Sequence, residues 1–431
     1  MKVDRRRFLT QAATVCALPI LGRLLPGCAS SEETGASSTP SPSPGGSSDA
    51  AGSFEAPQRL TSTVTRGSDG VWVRSFSGVA APQNLEVRIG GEAKRVFDLF
   101  PRSNCPFGIE TQAQLGDGGY RLSIVDRASG GEVPSASEAK RPLNMVPFGV
   151  AIDGVMLDPS GPWHDGGPPD PNNPFDRACS GWEYDPIFAT VADLVGVPAE
   201  LRGHVQPGPG GRKGSRGLFH YHGVPRVMLA NLKRALTEAE RAAALIVGYS
   251  ADGFVIVDSV VPASATRSGK RLHLFSGYVL QSGTRAAVPH TNGALVPSGS
   301  YDGTFVQDWV HDPAAKRAAI EAALTGKGEY LGLTAADRAA GVADYVLLDE
   351  RNGLSSDGIA VPGVTRATYL YVLTPDWPEI PRWFALEPSA SFRSVIPFES
   401  NGAGPPGRKQ LYDACSADLA DVHRWDGRAP Y

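Results

Sequence analysis

Seven residues, Gly217-Leu218-Phe219-His220-Tyr221-His222-Gly223, leave the backbone few options. Aromatic residues alternate with imidazoles between two glycines, the pattern of a short strand. Side chains along a strand alternate between its faces, so His220 and His222 share one face about 7 Å apart. Phe219 and Tyr221 share the other. Two imidazoles so placed can reach one metal ion, as in cupin-like and copper sites. The same strand also suits histidines hydrogen-bonded in a polar core or lining a sugar-binding face.

The rest of the chain reads as α+β, mainly antiparallel β with a few inserted helices. Between Leu60 and Asn144, runs such as Val71-Trp72-Val73-Arg74-Ser75-Phe76 and Leu85-Glu86-Val87-Arg88-Ile89 alternate and end at Gly, Pro, Asn or Ser. Helical spacing appears at 224–236 and 237–247, where Thr237 and Glu240 form a capping box, at 312–324 and at 334–340. Strands are expected at 148–152, 254–257, 272–280, 304–310, 345–348 and 368–374. No repeat is visible. The expected organisation is an export signal over 1–28, a tether over 29–53, a β-rich subdomain over 54–146, a core domain over 147–386 and a loop-rich tail over 387–431.

The first residues predict export. Arg5 and Arg6 stand in Asp4-Arg5-Arg6-Arg7-Phe8-Leu9-Thr10, ahead of a short apolar run broken by Arg23, the layout of a twin-arginine signal. That pathway carries folded proteins, which suits a chain that takes up its cofactor inside the cell. Leu25-Pro26-Gly27-Cys28 is similar to a lipoprotein box, with Cys28 as the acylated residue; the alternative is a secreted or periplasmic soluble protein. The Ser/Gly/Pro-rich residues 29–53 cannot bury enough apolar surface to order themselves, and as a coil would span about 25–30 Å. The expected partner is therefore a membrane, reached through lipid. The net charge of −4 gives no electrostatic reason to expect nucleic acid, and nothing predicts a nucleotide. After Cys28 come Cys105, Cys179 and Cys415, an odd count that allows one disulfide, with no Cys-x-x-Cys pair for zinc.

His204 lies one loop upstream of the His-x-His strand and is the candidate third imidazole. Asp252, Asp302, Asp349 and Glu350 stand at turns and are candidate carboxylates for a mixed nitrogen and oxygen site, although Asp-Gly steps are turn chemistry first. His273, His311, His164, His290 and His423 read as ordinary solvated or hydrogen-bonded histidines. Gly248-Tyr249-Ser250-Ala251-Asp252 lacks the closing glycine of a nucleophile elbow, and 208–215 breaks the P-loop spacing.

As an ordered set, these segments resemble the YHYH-domain family of largely exported proteins. The resemblance rests on Phe148-Gly149-Val150-Ala151-Ile152-Asp153-Gly154, Trp182-Glu183-Tyr184, His204-Val205-Gln206-Pro207, Phe219-His220-Tyr221-His222-Gly223, Gly248-Tyr249-Ser250-Ala251-Asp252-Gly253, Tyr301-Asp302-Gly303, Leu348-Asp349-Glu350-Arg351-Asn352-Gly353 and Pro381-Arg382. It spans roughly 147–384 and implies no defined activity. It marks His204, His220, His222, Asp252, Asp302, Asp349 and Glu350 as motif positions. Relatives carry Tyr at Phe219, His at Leu370, and cysteines at Arg351 and Trp383, which implies loss of a disulfide pair here. The expected function is a divalent metal site, copper or zinc, on His204, His220, His222 and one of the four carboxylates. The alternative is a carbohydrate- or protein-binding surface module using Tyr221, Trp182 and Tyr184 without metal. Whether the protein is an enzyme stays open.

Overall fold

An eight-stranded mixed sheet positions every histidine of interest in this computed structural model. The structure describes residues 59–79, 86–89, 92–95, 114–115, 121–135, 140–143, 146–161, 182–188, 202–206, 218–285 and 297–393. All belong to one unit, Ala56–Tyr431. The segments expected to be signal and tether, all the cysteines, His164, His290 and His423 lie outside the described residues.

The central strands are β1 (Gly149–Ala151), β2 (Met156–Leu157), β3 (Gly203–Gln206), β4 (Leu218–Tyr221), β5 (Ile246–Ser250), β6 (Val255–Asp258), β7 (Gly353–Ser355) and β8 (Tyr369–Leu373). Their order across the sheet is β3-β4-β2-β1-β5-β6-β8-β7. Runs such as Val255-Ile256-Val257 and Tyr369-Leu370-Tyr371-Val372-Leu373 are buried along their whole length, as strands covered on both faces must be. On one face Val155, Leu157, Tyr221, Phe254, Ile256, Tyr371, Phe148 and Phe384 form the main core with Met228 and Leu232 of the helix Arg226–Arg234.

The expected class, α+β and mainly β, holds. The helix at 312–324 forms as Pro313–Lys327, N-capped by Asp312. The Thr237 and Glu240 capping box forms, but it starts a single turn, Glu238–Arg241. The strand expected at 304–310 is instead a 3-10 turn, Val306–Asp308, leading into Trp309–His311. Asp308 accounts for the turn: its carboxylate accepts from the Gly303 and Phe305 amides and pairs with Arg285.

The absence of a repeat is the reading that the structure overturns. Strands β1 to β4 and β5 to β8 have the same connectivity and register, related by a local two-fold axis between Val150 and Tyr249, which pair with each other. In the first half His220 and Tyr221 lie beside Met156 and Leu157; in the second, Leu370 and Tyr371 lie beside Val255 and Ile256. Gly203 and His204 face Tyr221 and His220 across β3 and β4, as Gly353 and Leu354 face Tyr371 and Leu370 across β7 and β8. Arg202 and Asn352, one residue before each of these strands, both take a left-handed backbone (φ 54° and 60°). Their carbonyls accept from His222 and Val372 at 2.7 and 3.1 Å. Across the axis, Ile152 N–H donates to Val247 O at 2.9 Å and Ala251 N–H to Phe148 O at 2.8 Å.

Candidate functional site

Strand β4 holds its imidazoles through three independent constraints. It pairs with β3 on one side and β2 on the other, and the His222 amide is tied to Arg202. Tyr221, between the two histidines, turns into the core and donates to Asp153 Oδ2 at 2.9 Å. This anchor fixes the opposite orientation for its neighbours. His220 and His222 are buried, with Nε2 atoms 2.9 Å apart and rings inclined at 76°. One Nε2–H donating to the other ring accounts for that separation without a metal.

Register adds two residues. His204 is the direct partner of His220 in the antiparallel ladder. Asp158 extends β2 by one residue, donating its N–H to Tyr221 O at 2.8 Å. Alternation puts it on the face of Met156, the neighbour of His220. It is fully buried, and its Oδ1 accepts from the Ser160 amide.

The segment 182–188 adds a charged cluster. Glu183 is fixed at its backbone by Gln307 and Val306. Its Oε1 accepts from the Gly161 amide at 2.6 Å and from Arg382 at 3.4 Å. Gly161 has to be glycine here, because a Cβ would stand 1.9 Å from Tyr184 O. Asp185 takes the other side of Arg382 at 3.2 Å and accepts from Trp377 Nε1 at 2.6 Å. Burial pushes Glu183 up to about 7; Arg382 and the Gly161 amide oppose the shift, while Asp158 and Asp185 add to it. Next to His222, Glu379 accepts from the Val224 amide at 2.8 Å and pairs with Arg202 and Arg226. A Cβ on Gly223 would meet its Oε2 at 2.5 Å.

The four expected carboxylates serve elsewhere. Asp252, the counterpart of Asp153, accepts from Tyr371 at 2.8 Å, Ser250 at 2.6 Å and the amides of Ala385 and Leu386, both at 3.1 Å. Asp349 is held by Tyr369 and by the amides of Arg351 and Gly353. Asp302 caps its own turn at Thr304 and pairs with Arg285; Glu350 pairs with Lys140. Among the described residues no three His, Cys, Asp or Glu side chains are grouped to hold a metal ion, the His204 side chain lying outside them.

Of the three rings named for a binding surface, Tyr221 and Trp182 are buried and present no ring to a ligand. Tyr184 is half-buried and tilts against Phe305 at 4.5 Å. Tyr278 links the neighbourhoods of Arg351 and Trp383. Its hydroxyl donates to Glu350 O beside Arg351 at 2.6 Å, and its ring stacks on Trp383 at 5.3 Å.

Asp158, Glu183, Asp185 and Glu379 escaped the sequence reading. Glu183 and Arg382 sat inside quoted motif segments, yet no spacing links 158, 183, 185 and 382. A family profile described as YHYH protein matches residues 132–385, beginning before the core domain expected from the sequence. No curated protein and no solved structure matches. With more than half of its length matched, from the strand before Asp153 through Arg382, the chain belongs to the YHYH protein family.

Proposed function

We propose that this YHYH protein binds a divalent metal ion through His220 and His222, with His204 as third ligand. The contrast between the two halves of the sheet carries the reading. At the positions equivalent to His204, His220, His222 and Asp158, the second half has Leu354, Leu370, Val372 and Val257, all in one apolar cluster. The same scaffold therefore folds with hydrocarbon there. Burying a leucine or valine contributes about 1.5–3 kcal/mol, which the first half forgoes at each position. Departures of that kind concentrate at functional sites.

The Nε2 separation favours a particular ion geometry. Two nitrogens at about 2.05 Å from one ion stand about 2.9 Å apart at a right angle and about 3.3 Å apart in a tetrahedron. The 2.9 Å separation equals the spacing of adjacent nitrogens in the tetragonal arrangement of Cu(II). Zinc requires the rings to part by about 0.4 Å. We infer export to the cell envelope, with lipid attachment at Cys28, from Arg5, Arg6 and Cys28. No helix among the described residues is long and apolar enough to cross a membrane.

Elemental analysis of the full chain, purified from its own export route, tests the proposal. One equivalent of copper or zinc is expected in the native protein and none in a folded His220→Leu/His222→Val variant. Metal-free native protein that takes up neither ion on dialysis sinks it.

A further inference from the structure

The strand Thr61–Arg66 ends its sheet with no strand on its outer side among the described residues. Its inner side pairs with Trp72–Val79 without a break in register. Hydrogen bonds farther in fix which backbone groups face which way. Trp72 O accepts from the Asp126 N–H, and the Phe76 N–H donates to Leu122 O, so the even-numbered residues of Trp72–Val79 turn toward Ser123–Val125. The odd-numbered ones turn the other way, a series that the Gly67 N–H to Val71 O bond continues. Through the register, Thr61, Thr63 and Thr65 take up those inner bonds. Ser62, Val64 and Arg66 therefore present their N–H and C=O groups to the open edge. Leu60, next in this series, shows the same direction: its N–H leaves the sheet for Ile152 O at 2.6 Å.

We propose that a second copy of this chain pairs with this edge, strand against strand and antiparallel, about a two-fold axis at Val64. The outward groups are their own complement. Val64 opposite Val64 of the second copy exchanges a pair of bonds, and Ser62 opposite Arg66 exchanges another pair on each side of the axis. Every outward N–H and C=O of Ser62, Val64 and Arg66 is then used in both copies. Sliding the register either way leaves some of them unpaired. Parallel pairing in register would set Arg66 beside its own copy, like charge against like.

Side chains and charges fit the same register. Thr63 and Thr65, exposed on one face of the strand, stand opposite Thr65 and Thr63 of the second copy, cross-strand pairs of the kind that stabilise sheets. Past the strand ends, the turn carrying the exposed Asp69 of one copy comes alongside Arg59 of the other, opposite charges. Edges that stay single are short or carry proline, lysine or a bulge. The edges of the eight-stranded sheet, β3 and β7, are the shorter ones. Thr61–Arg66 is longer, unbroken, and built of threonine, serine and valine up to its closing arginine. One strand pair makes a small interface, so association depends on concentration. Two copies anchored to one membrane, as inferred above, meet at a higher effective concentration than in solution.

The test is sedimentation velocity of the full chain from micromolar to near-millimolar concentration, with Cys28→Ser to remove lipid as a cause of association. Single chains are expected at the low end and a two-chain species at the high end. Val64→Pro deletes the central outward N–H and leaves the inner ladder intact, so it should abolish the dimer with little change in Tm. Thr63→Pro deletes an inner bond and is the control for damage to the fold, with a lowered Tm expected. Val64→Cys gives a reading that does not depend on proline being tolerated. The axis sets the two copies of position 64 about 5.5 Å apart at Cα, within reach of a disulfide, and mild oxidation should link them in peptide maps. A single chain at every concentration overturns the proposal. So does a dimer that survives Val64→Pro, or an oxidised Val64→Cys chain with no link between the two positions.

Discussion

Leu370 occupies in the second half of the sheet the place that His220 occupies in the first. Each is flanked on its C-terminal side by a tyrosine that bonds an aspartate at a β-turn, Tyr371 to Asp252 and Tyr221 to Asp153. Each faces a parallel strand in the same register, Leu370 beside Val255 and His220 beside Met156. The Tyr-Asp pairs are thus part of the scaffold, common to both halves, and the imidazoles are what distinguishes one half. A histidine at position 370 would be a second, two-fold-related copy of His220.

Exchange of residues between the halves should be asymmetric. His220→Leu/His222→Val transplants the apolar pair onto a scaffold that already accommodates it, so stability should stay within about 1 kcal/mol of wild type or rise. Leu370→His puts an imidazole into a cluster of Val255, Val257, Val261, Leu274 and Val372 with no polar partner. That loss of apolar burial, added to an unsatisfied polar ring, should cost about 3 kcal/mol or more. Urea unfolding of both variants compares them directly, and equal costs in the two directions contradict the equivalence of the sites.

The two-fold axis makes its own demand on Gly149 and Gly248. A Cβ at Gly149 would stand 2.3 Å from Tyr249 O, and one at Gly248 would stand 2.6 Å from Val150 O. Both obstacles are backbone atoms of paired central strands, which have no rotamer to give way. Gly149→Ala and Gly248→Ala should each lower stability by about 3 kcal/mol or more. Gly269→Ala is the control for conformational strain: its φ is +66° but the space around it is open, so it should cost about 1 kcal/mol. Thermal unfolding that ranks the control with the other two would remove the steric explanation.

Strand β4 was legible because its evidence is local: two glycines, alternating rings and a period of two. The same holds for Pro313–Lys327, whose cap and alanine run are written in adjacent residues. The repeat was not legible, because the halves share little beyond a Gly-x-x-x-Asp-Gly hairpin and a tyrosine. The chain between β2 and β3 (158–202) and between β6 and β7 (259–352) also differs in length. Asp252 and Asp349 show the converse failure. Their motif positions were visible, but nothing along the chain says that Tyr371 and Tyr369 will consume their lone pairs. Glu183 and Asp158 needed the fold outright, since their proximity depends on Gly161 meeting Tyr184.

The pairing of Asp153 with Tyr221 makes stability depend on pH. Burial raises Asp153 from an ordinary 3.8 to about 6, although Tyr221 and the Val155 amide pull it down. Between these two values the folded protein holds more protons at this site than the unfolded chain, so stability falls as pH rises. The contribution is greatest below about pH 4 and is lost by about pH 6, a change of about 3 kcal/mol. Asp153→Asn cannot ionise, and its side-chain oxygen can still accept from Tyr221. Its unfolding free energy should therefore decline less than that of wild type from pH 4 to 6.5 at constant ionic strength. Asp252 and Asp349, raised for the same reason of burial, leave a residual slope of the same sign in both proteins. Parallel curves for wild type and variant would show that Asp153 ionises in the folded state as it does in water, contrary to its burial beneath β4.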